Sequence, residues 1–288
     1  SDSDWSSDVC SSDLQLSPIP IPELTAEIKK VKEDKLEVEK TIAYCKEHFN
    51  IVIRDDELEN VAALKVAMRN LAAKYGCNAI AIQCWNALQN EIGIMPCAAN
   101  SLLNEEGLPV VCETDIHGAI TSVIAQAATM GKVKPFFADW TVPHPTNPNG
   151  ELLQHCGPWP VSLMKGKPSF GAPFAFNHSH PGALHGELIG GDMSIIRFDG
   201  DNGEYSLLMG HAKGIEGPFN QGTYVWIEVE NLKRLEEKLV CGPYVHHCVG
   251  IHADILPQIY EACKYLGYLT PDFYDNIEEK VKEQLRGE

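Results

Sequence analysis

The sequence has no run of about 18 or more apolar residues, so it offers no transmembrane helix. Basic residues are few. Lys plus Arg number 23 against 40 Asp plus Glu, a formal charge of −17. Nucleic acid and an anionic membrane surface both need a basic face, so neither is expected as a partner. No C-x-x-C pair occurs among the 10 cysteines, which argues against a structural zinc knuckle. The cysteines are scattered, mostly inside apolar stretches. They read as reduced, core-facing thiols of a cytoplasmic protein rather than as a disulfide framework. No internal repeat is visible. What the chain does have is length and apolar content, 288 residues at 44% hydrophobic, enough for a sizeable core.

Residues 1–14, SDSDWSSDVCSSDL, are Ser/Asp-rich with neither periodicity nor an apolar h-region. They resemble a translated sequencing adapter and are expected to be a non-native leader, not a signal peptide. From there to residue 132 helical and strand-like patterns alternate. Ile28, Val31, Val38, Ile42 and Cys45 predict a helix over about 24–48. Leu58, Val61, Leu64, Met68 and Leu71 predict another over 56–75, closed by Gly76. NAIAIQCW (78–85) and LPVVC (108–112) are short continuous apolar runs of the kind found in buried parallel strands. ETDIHGAITSVIAQAATMG (113–131) opens with acids and ends in Gly, as a helix does. Residues 15–132 are therefore expected to form a partial, Rossmann-like α/β domain.

Beyond 132 the texture changes. MSIIRF, EYSLLMG and TYVWIEVE alternate with Gly, Asn and Asp and predict antiparallel strands. Residues 133–288 are expected to form a β-barrel or sandwich domain with terminal helices, the barrel being what the family resemblance described below implies. The fold class is thus α/β plus β.

Three places combine metal-capable side chains with plausible positioning. Glu113, in VVCETDIHG, sits where a buried strand gives way to a helix, the edge at which open α/β sheets place ligands. Glu113 or Asp115 could equally be only the helix N-cap. Asp139, in FFADWTVPH, is an acid inside an aromatic stretch, which needs a partner if buried. It could also open a turn before the Pro-rich loop. His155 follows in QHCGPWP. The third place is GPYVHHCVGIHAD, with His246, His247 and His252. Adjacent residues on a strand face opposite sides, so at most one of His246 and His247 faces a given site. NHSHPGALHGE, with His178 and His180, reads as loop or substrate contact, since no carboxylate lies near in sequence. Two carboxylates with one or two histidines make a hard, oxygen-rich, open site, suited to Mn²⁺ or Mg²⁺ rather than structural zinc. Such an ion can hold adjacent sugar oxygens while a carboxylate moves a proton between neighbouring carbons.

In their order, the strand-end acid of VCETDIHGA, the acid of FADWT and the HH pair of GPYVHHCVG resemble the L-fucose isomerase and L-arabinose isomerase superfamily. QHCG also matches the position of a further histidine in the arabinose isomerase branch. The resemblance covers roughly residues 24–270. It implies that Glu113, Asp139 and His247 bind Mn²⁺, or another divalent cation such as Mg²⁺ or Co²⁺, with His155 as a fourth ligand or a substrate contact. It implies that Glu113 and Asp139 also form the acid/base pair that converts a free aldose to a ketose through an ene-diol. Gln83 and Trp85 are possible sugar contacts, though core packing competes for Trp85. Members of that family are about twice this length, so the chain is expected to lack an N-terminal domain and, alone, normal turnover. A homo-oligomer, trimer or hexamer, is also implied. A non-catalytic sugar-binding relative and a metal-dependent epimerase or aldolase remain alternatives.

Overall fold

The computed structural model describes residues 14–171, 180–201 and 203–287. The expected leader, apart from its last residue, and His178 lie outside them.

The chain enters through α1 (Ile21–Asp34) and α2 (Leu36–His48), which lie where one helix was expected over 24–48. Lys35, at φ 50°, interrupts the run. A non-glycine residue is strained there, and no Gly or Pro in the sequence marks the break. Helix α3 (Asp55–Tyr75) packs Ala62, Ala63, Val66 and Ala67 against Val31 and Val38 of the first two helices. Gly76, at φ 68°, caps it in the left-handed region that glycine adopts without penalty.

The apolar runs at 78–85 and 108–112 supply β2 (Ile80–Ala81) and β3 (Val110–Val111), a parallel pair. Between them lie α4 (Ala87–Ile92) and α5 (Cys97–Glu105), and after β3 comes α6 (Ile116–Ala128). The paired segments are shorter than the runs that contain them. The remaining apolar residues of those runs, including Ile82, Cys84 and Cys112, pack into the core, and Ile82 N–H still donates to the Val111 carbonyl at 2.9 Å.

The second half is a closed barrel. Strands β4 (Phe136–Pro143), β5 (Gly150–His155), β8 (Asp192–Asp201), β9 (Glu204–Ile215), β10 (Thr223–Val229) and β11 (His247–Ile251) pair in the cyclic order β10-β5-β4-β11-β8-β9, every pairing antiparallel. Closure leaves these six strands without a free edge. Outside the ring, β7 (Ala183–Glu187) lies parallel to β10, and β6 (Ser169–Gly171) bridges β7 to β1 (Asn50–Ile51). On the far side β12 (Leu269–Phe273) runs parallel to β9. Helix α7 (Leu232–Cys241) links β10 to β11, α8 (Leu256–Leu266) precedes β12, and α9 (Glu278–Arg286) closes the described chain.

Two-residue alternation sorts the barrel side chains. Phe136, Ala138, Trp140, Leu153, Met193, Ile195, Leu208, Val225 and Cys248 share one cluster, the barrel interior. Phe137, Ile196, Phe198, Leu207, Val249 and Ile251, of opposite parity, join a second cluster with Val110, Val111 and Ala119. That outward face is thus the one packed against the α/β half. Asp139 has the parity of Phe137, and His247 that of Val249. Both therefore lie on the face toward α6.

Candidate active site

Glu113 and Thr114 occupy the turn between β3 and α6, both in the left-handed region at φ 62° and 57°. Consecutive non-glycine residues there cost on the order of 1 kcal/mol or more each. The turn is held by hydrogen bonds from Thr114 N–H to the Ile82 carbonyl (3.0 Å) and from Asp115 N–H to the Cys112 carbonyl (3.2 Å). Asp115, not Glu113, is the N-cap of α6, accepting from Gly118 N–H at 2.9 Å. The turn lifts Glu113 off the helix and leaves its side chain about one-third exposed.

The barrel supplies the facing residues. Antiparallel register places His247 of β11 opposite Asp139 of β4, and Asp139 in turn opposite Gln154 of β5. His247 Nε2 lies 3.5 Å from Glu113 Oε2 and 3.5 Å from Asp139 Oδ1. His155, the last residue of β5, brings Nε2 to 3.8 Å from Asp139 Oδ1. The structure thus sets Glu113, His247, Asp139 and His155 in a row of close approaches, and, against the expectation that at most one of the histidine pair faces the site, Glu113, His246 and His247 each offer a ligand atom within 4.8 Å of the other two. His246 stays exposed, with Nε2 3.9 Å from Asp139 Oδ1. The Trp85 indole donates to the Glu113 carboxylate, and the ring also packs on the core. Gln83 is exposed in the segment after β2. His252 donates to the Ile189 carbonyl at 3.1 Å, and His180 meets Asn90 at 3.3 Å.

His247 is oriented from behind. Its Nδ1–H donates to Asp115 Oδ2 at 2.8 Å, so that in the neutral ring Nε2 carries the lone pair. Asp115 is itself clamped by the buried Arg197 guanidinium, with one N–H···O contact at 3.1 Å. Arg197 also bonds Asp199 (3.2 Å), which pairs with His117 at 2.8 Å. Asp115 entered the sequence reading only as a cap, and Arg197, Asp199 and His117 did not enter it. The one signal was a lone Arg in the apolar run MSIIRF, since a buried charge must be paired.

Electrostatics separate the two carboxylates. The His247 imidazole, 3.5 Å away, holds the Glu113 carboxyl below its ordinary range, against the opposing effect of partial burial. Burial pushes the Asp139 carboxyl up, although His155 and His247 pull it down. Burial disfavours charge on His247, but the Asp115 and Glu113 carboxylates outweigh it and raise the imidazole to about 9. For His155, burial is the largest single influence and disfavours charge, but Asp139 and Cys156 together outweigh it and raise the ring to about 10.

Asp139 Oδ1, His155 Nε2 and His247 Nε2 are all buried without a hydrogen-bond partner, and they face one another. Each orphaned polar atom costs about 1–3 kcal/mol. Ligands about 2.1 Å from a hard divalent cation stand roughly 3.0–3.4 Å apart at octahedral to tetrahedral angles, close to the separations here. The donor set, two carboxylates and two imidazoles with one side open, fits such a cation.

No family model matches the chain. It is similar to proteins named sulfoquinovose isomerase. The one from Alkalicoccus urumqiensis is 28% identical over 212 residues, 72% of this chain and 47% of that protein. Those from Priestia aryabhattai and Priestia megaterium are each 30% identical over 201 residues, 67% of this chain and 43% of theirs. The chain is therefore related to sugar isomerases, and it spans under half the length of the relatives it matches.

Proposed function

We propose that the chain carries the metal-binding and acid/base half of an aldose–ketose isomerase that acts on a free sugar. The observation that supports this best is the set of three orphaned atoms, on Asp139, His155 and His247, facing the accessible Glu113 carboxylate. Glu113, Asp139 and His247 are the proposed ligands of Mn²⁺ or a similar divalent cation, with His155 as a fourth ligand or a substrate contact. A divalent cation held there supplies positive charge to the sugar oxygens as negative charge develops on them.

The residues divide the proton chemistry. Glu113, with its lowered pKa, is ionised at neutral pH and takes the proton from C2 of the aldose. Asp139 is the group that delivers a proton to O1 and takes back the one that leaves O2. The C2 proton returns at C1 from Glu113, so an ene-diol separates two half-reactions and the ketose has the mass of the aldose. Asp115 fixes the His247 ring so that Nε2 faces the site. Trp85 orients Glu113 through its indole N–H and offers a ring face beside it, and Gln83 is a candidate hydroxyl contact.

Since the relatives are named for sulfoquinovose, that sugar is the first substrate to test, ahead of the fucose and arabinose class. Arg197, bound to Asp115 and Asp199, is not free to hold an anionic substituent. A homo-oligomer belongs to the same reading. So does a cytoplasmic setting, supported by nine described cysteines that are all free. Among the described residues no helix is long and apolar enough to cross a membrane.

The test is incubation of the 288-residue chain, loaded with Mn²⁺, with sulfoquinovose, fucose and arabinose in deuterated water. Deuterium appearing at C2 of one aldose, or a ketose of otherwise unchanged constitution, supports the reading. Binding without exchange points to a non-catalytic sugar-binding relative. A C2 epimer or two fragments point to an epimerase or aldolase.

A further inference from the structure

Four thiols from separate segments meet behind the candidate site. Cys84 follows β2, Cys97 opens α5, Cys112 follows β3 and Cys156 follows β5. Cys97 Sγ lies 3.1 Å from Cys156 Sγ. Cys112 Sγ lies within 4.8 Å of Cys156 Sγ, and Cys84 is its neighbour on the other side. The row ends on an imidazole, with His155 Nδ1 3.2 Å from Cys156 Sγ. Cys112, Cys156 and His155 each offer a ligand atom within 4.8 Å of the other two.

A single buried cysteine is a common small core residue and needs no ligand to explain it. Here sulfur meets sulfur and then nitrogen, rather than the carbon that packing alone would favour. Cys84, Cys97 and Cys112 are at most 3% exposed, so the cluster sits in a dry environment where soft ligands hold a soft ion well.

We propose that Cys112, Cys156 and His155 form a second cation site, for a thiophilic d¹⁰ ion of the Zn²⁺ class, with Cys97 as the fourth ligand. Two thiolates and an imidazole are a zinc-type set, and a third thiol completes a tetrahedron. On binding, each ligating thiol gives its proton to solvent, so the full set releases three. His155 Nδ1 exchanges the Cys156 N–H that it accepts at 2.9 Å for the ion. The two sites differ in hardness: carboxylates and histidines in front select a hard ion, sulfur behind a soft one. His155 stands between them, Nε2 toward Asp139 and Nδ1 toward the thiols. The inference rests on the sulfur cluster and not on the isomerase reading.

Cd²⁺ is the probe. The 288-residue chain, reduced with a phosphine, is titrated while the thiolate-to-cadmium charge-transfer absorption is followed, and cadmium NMR is recorded at one equivalent. We expect one Cd²⁺ per chain and a resonance in the sulfur-ligand range. Cys112→Ser and Cys156→Ser should each weaken binding at least tenfold, and Cys241→Ser, at an exposed thiol, should leave it unchanged. A folded wild-type chain without the charge-transfer band, or with cadmium in the oxygen-only range, overturns the proposal whether or not the variants fold. A band abolished by Cys241→Ser overturns it too. Mn²⁺ binding at the front site is measured separately, so either reading can fail alone.

Discussion

Asp115 Oδ2 and His247 Nδ1 stand 2.8 Å apart across 132 residues of sequence. The pair joins the two halves of the fold at one point: a helix N-cap from the α/β half fixes an imidazole on the barrel wall. It selects the ring tautomer and aims the other nitrogen at Glu113 and Asp139.

This pairing predicts a graded loss when the anion behind the ring is removed. Asp115→Asn keeps the volume but lets the amide donate to the ring, which puts the lone pair on the wrong nitrogen. Mn²⁺ affinity should fall about 10–100-fold, the usual effect of losing such a support. Calorimetry checks it, and unchanged affinity in a folded variant would remove Asp115 from the account.

Arg197 is 2% exposed and holds two carboxylates, Asp115 and Asp199. Removing one partner of a buried ion network leaves charge uncompensated, at about 3–5 kcal/mol. Arg197→Met should lower the chemical-denaturation midpoint accordingly. Lys264→Met, which breaks an exposed pair with Glu261, should barely move it.

Glu151 of β5 is a buried acid with an unpartnered Oε2. Burial first, and then the Glu236 charge, raise it from 4.5 to about 7, opposed only weakly by the Thr141 N–H. A raised folded-state pKa means that the stabilising contribution is complete below the unfolded value and is lost as pH climbs through about 7. Glu151→Gln stays neutral, so its stability relative to wild type should rise between pH 5 and pH 8 by roughly 1–3 kcal/mol. Urea unfolding at the two pH values checks this, and a gap that ignores pH would contradict it.

In β11, Gly250 lies where the Phe136 ring fills the space a side chain would occupy. Gly250→Ala should therefore destabilise the barrel by about 1–3 kcal/mol, the usual penalty of overpacking a filled core. Thermal unfolding is the readout. A neutral substitution would mean that the ring moves aside freely.

Much of this was legible in the residues, and the part that was not has physical causes. The apolar runs locate β2 and β3, and an acid within FFADWT and a histidine pair in GPYVHHCVG pick out Asp139 and His247 as residues that need partners. Pairing partners are another matter: nothing local says that β10 contacts both β5 and β9 and so closes a barrel. Lys35, Glu113 and Thr114 take left-handed backbone without glycine, so the break between α1 and α2 and the turn that frees Glu113 leave no mark in composition. The thiol cluster is invisible to spacing because its members come from four segments.

The central claim is that Glu113, Asp139 and His247 hold one divalent cation, and a calorimetric Mn²⁺ titration of metal-stripped chain tests it most directly. We expect one ion per wild-type chain, with most of the affinity lost in each of Glu113→Gln, Asp139→Asn and His247→Ala. A folded wild-type protein that binds no Mn²⁺, or variants that bind it as well as wild type, would contradict the account.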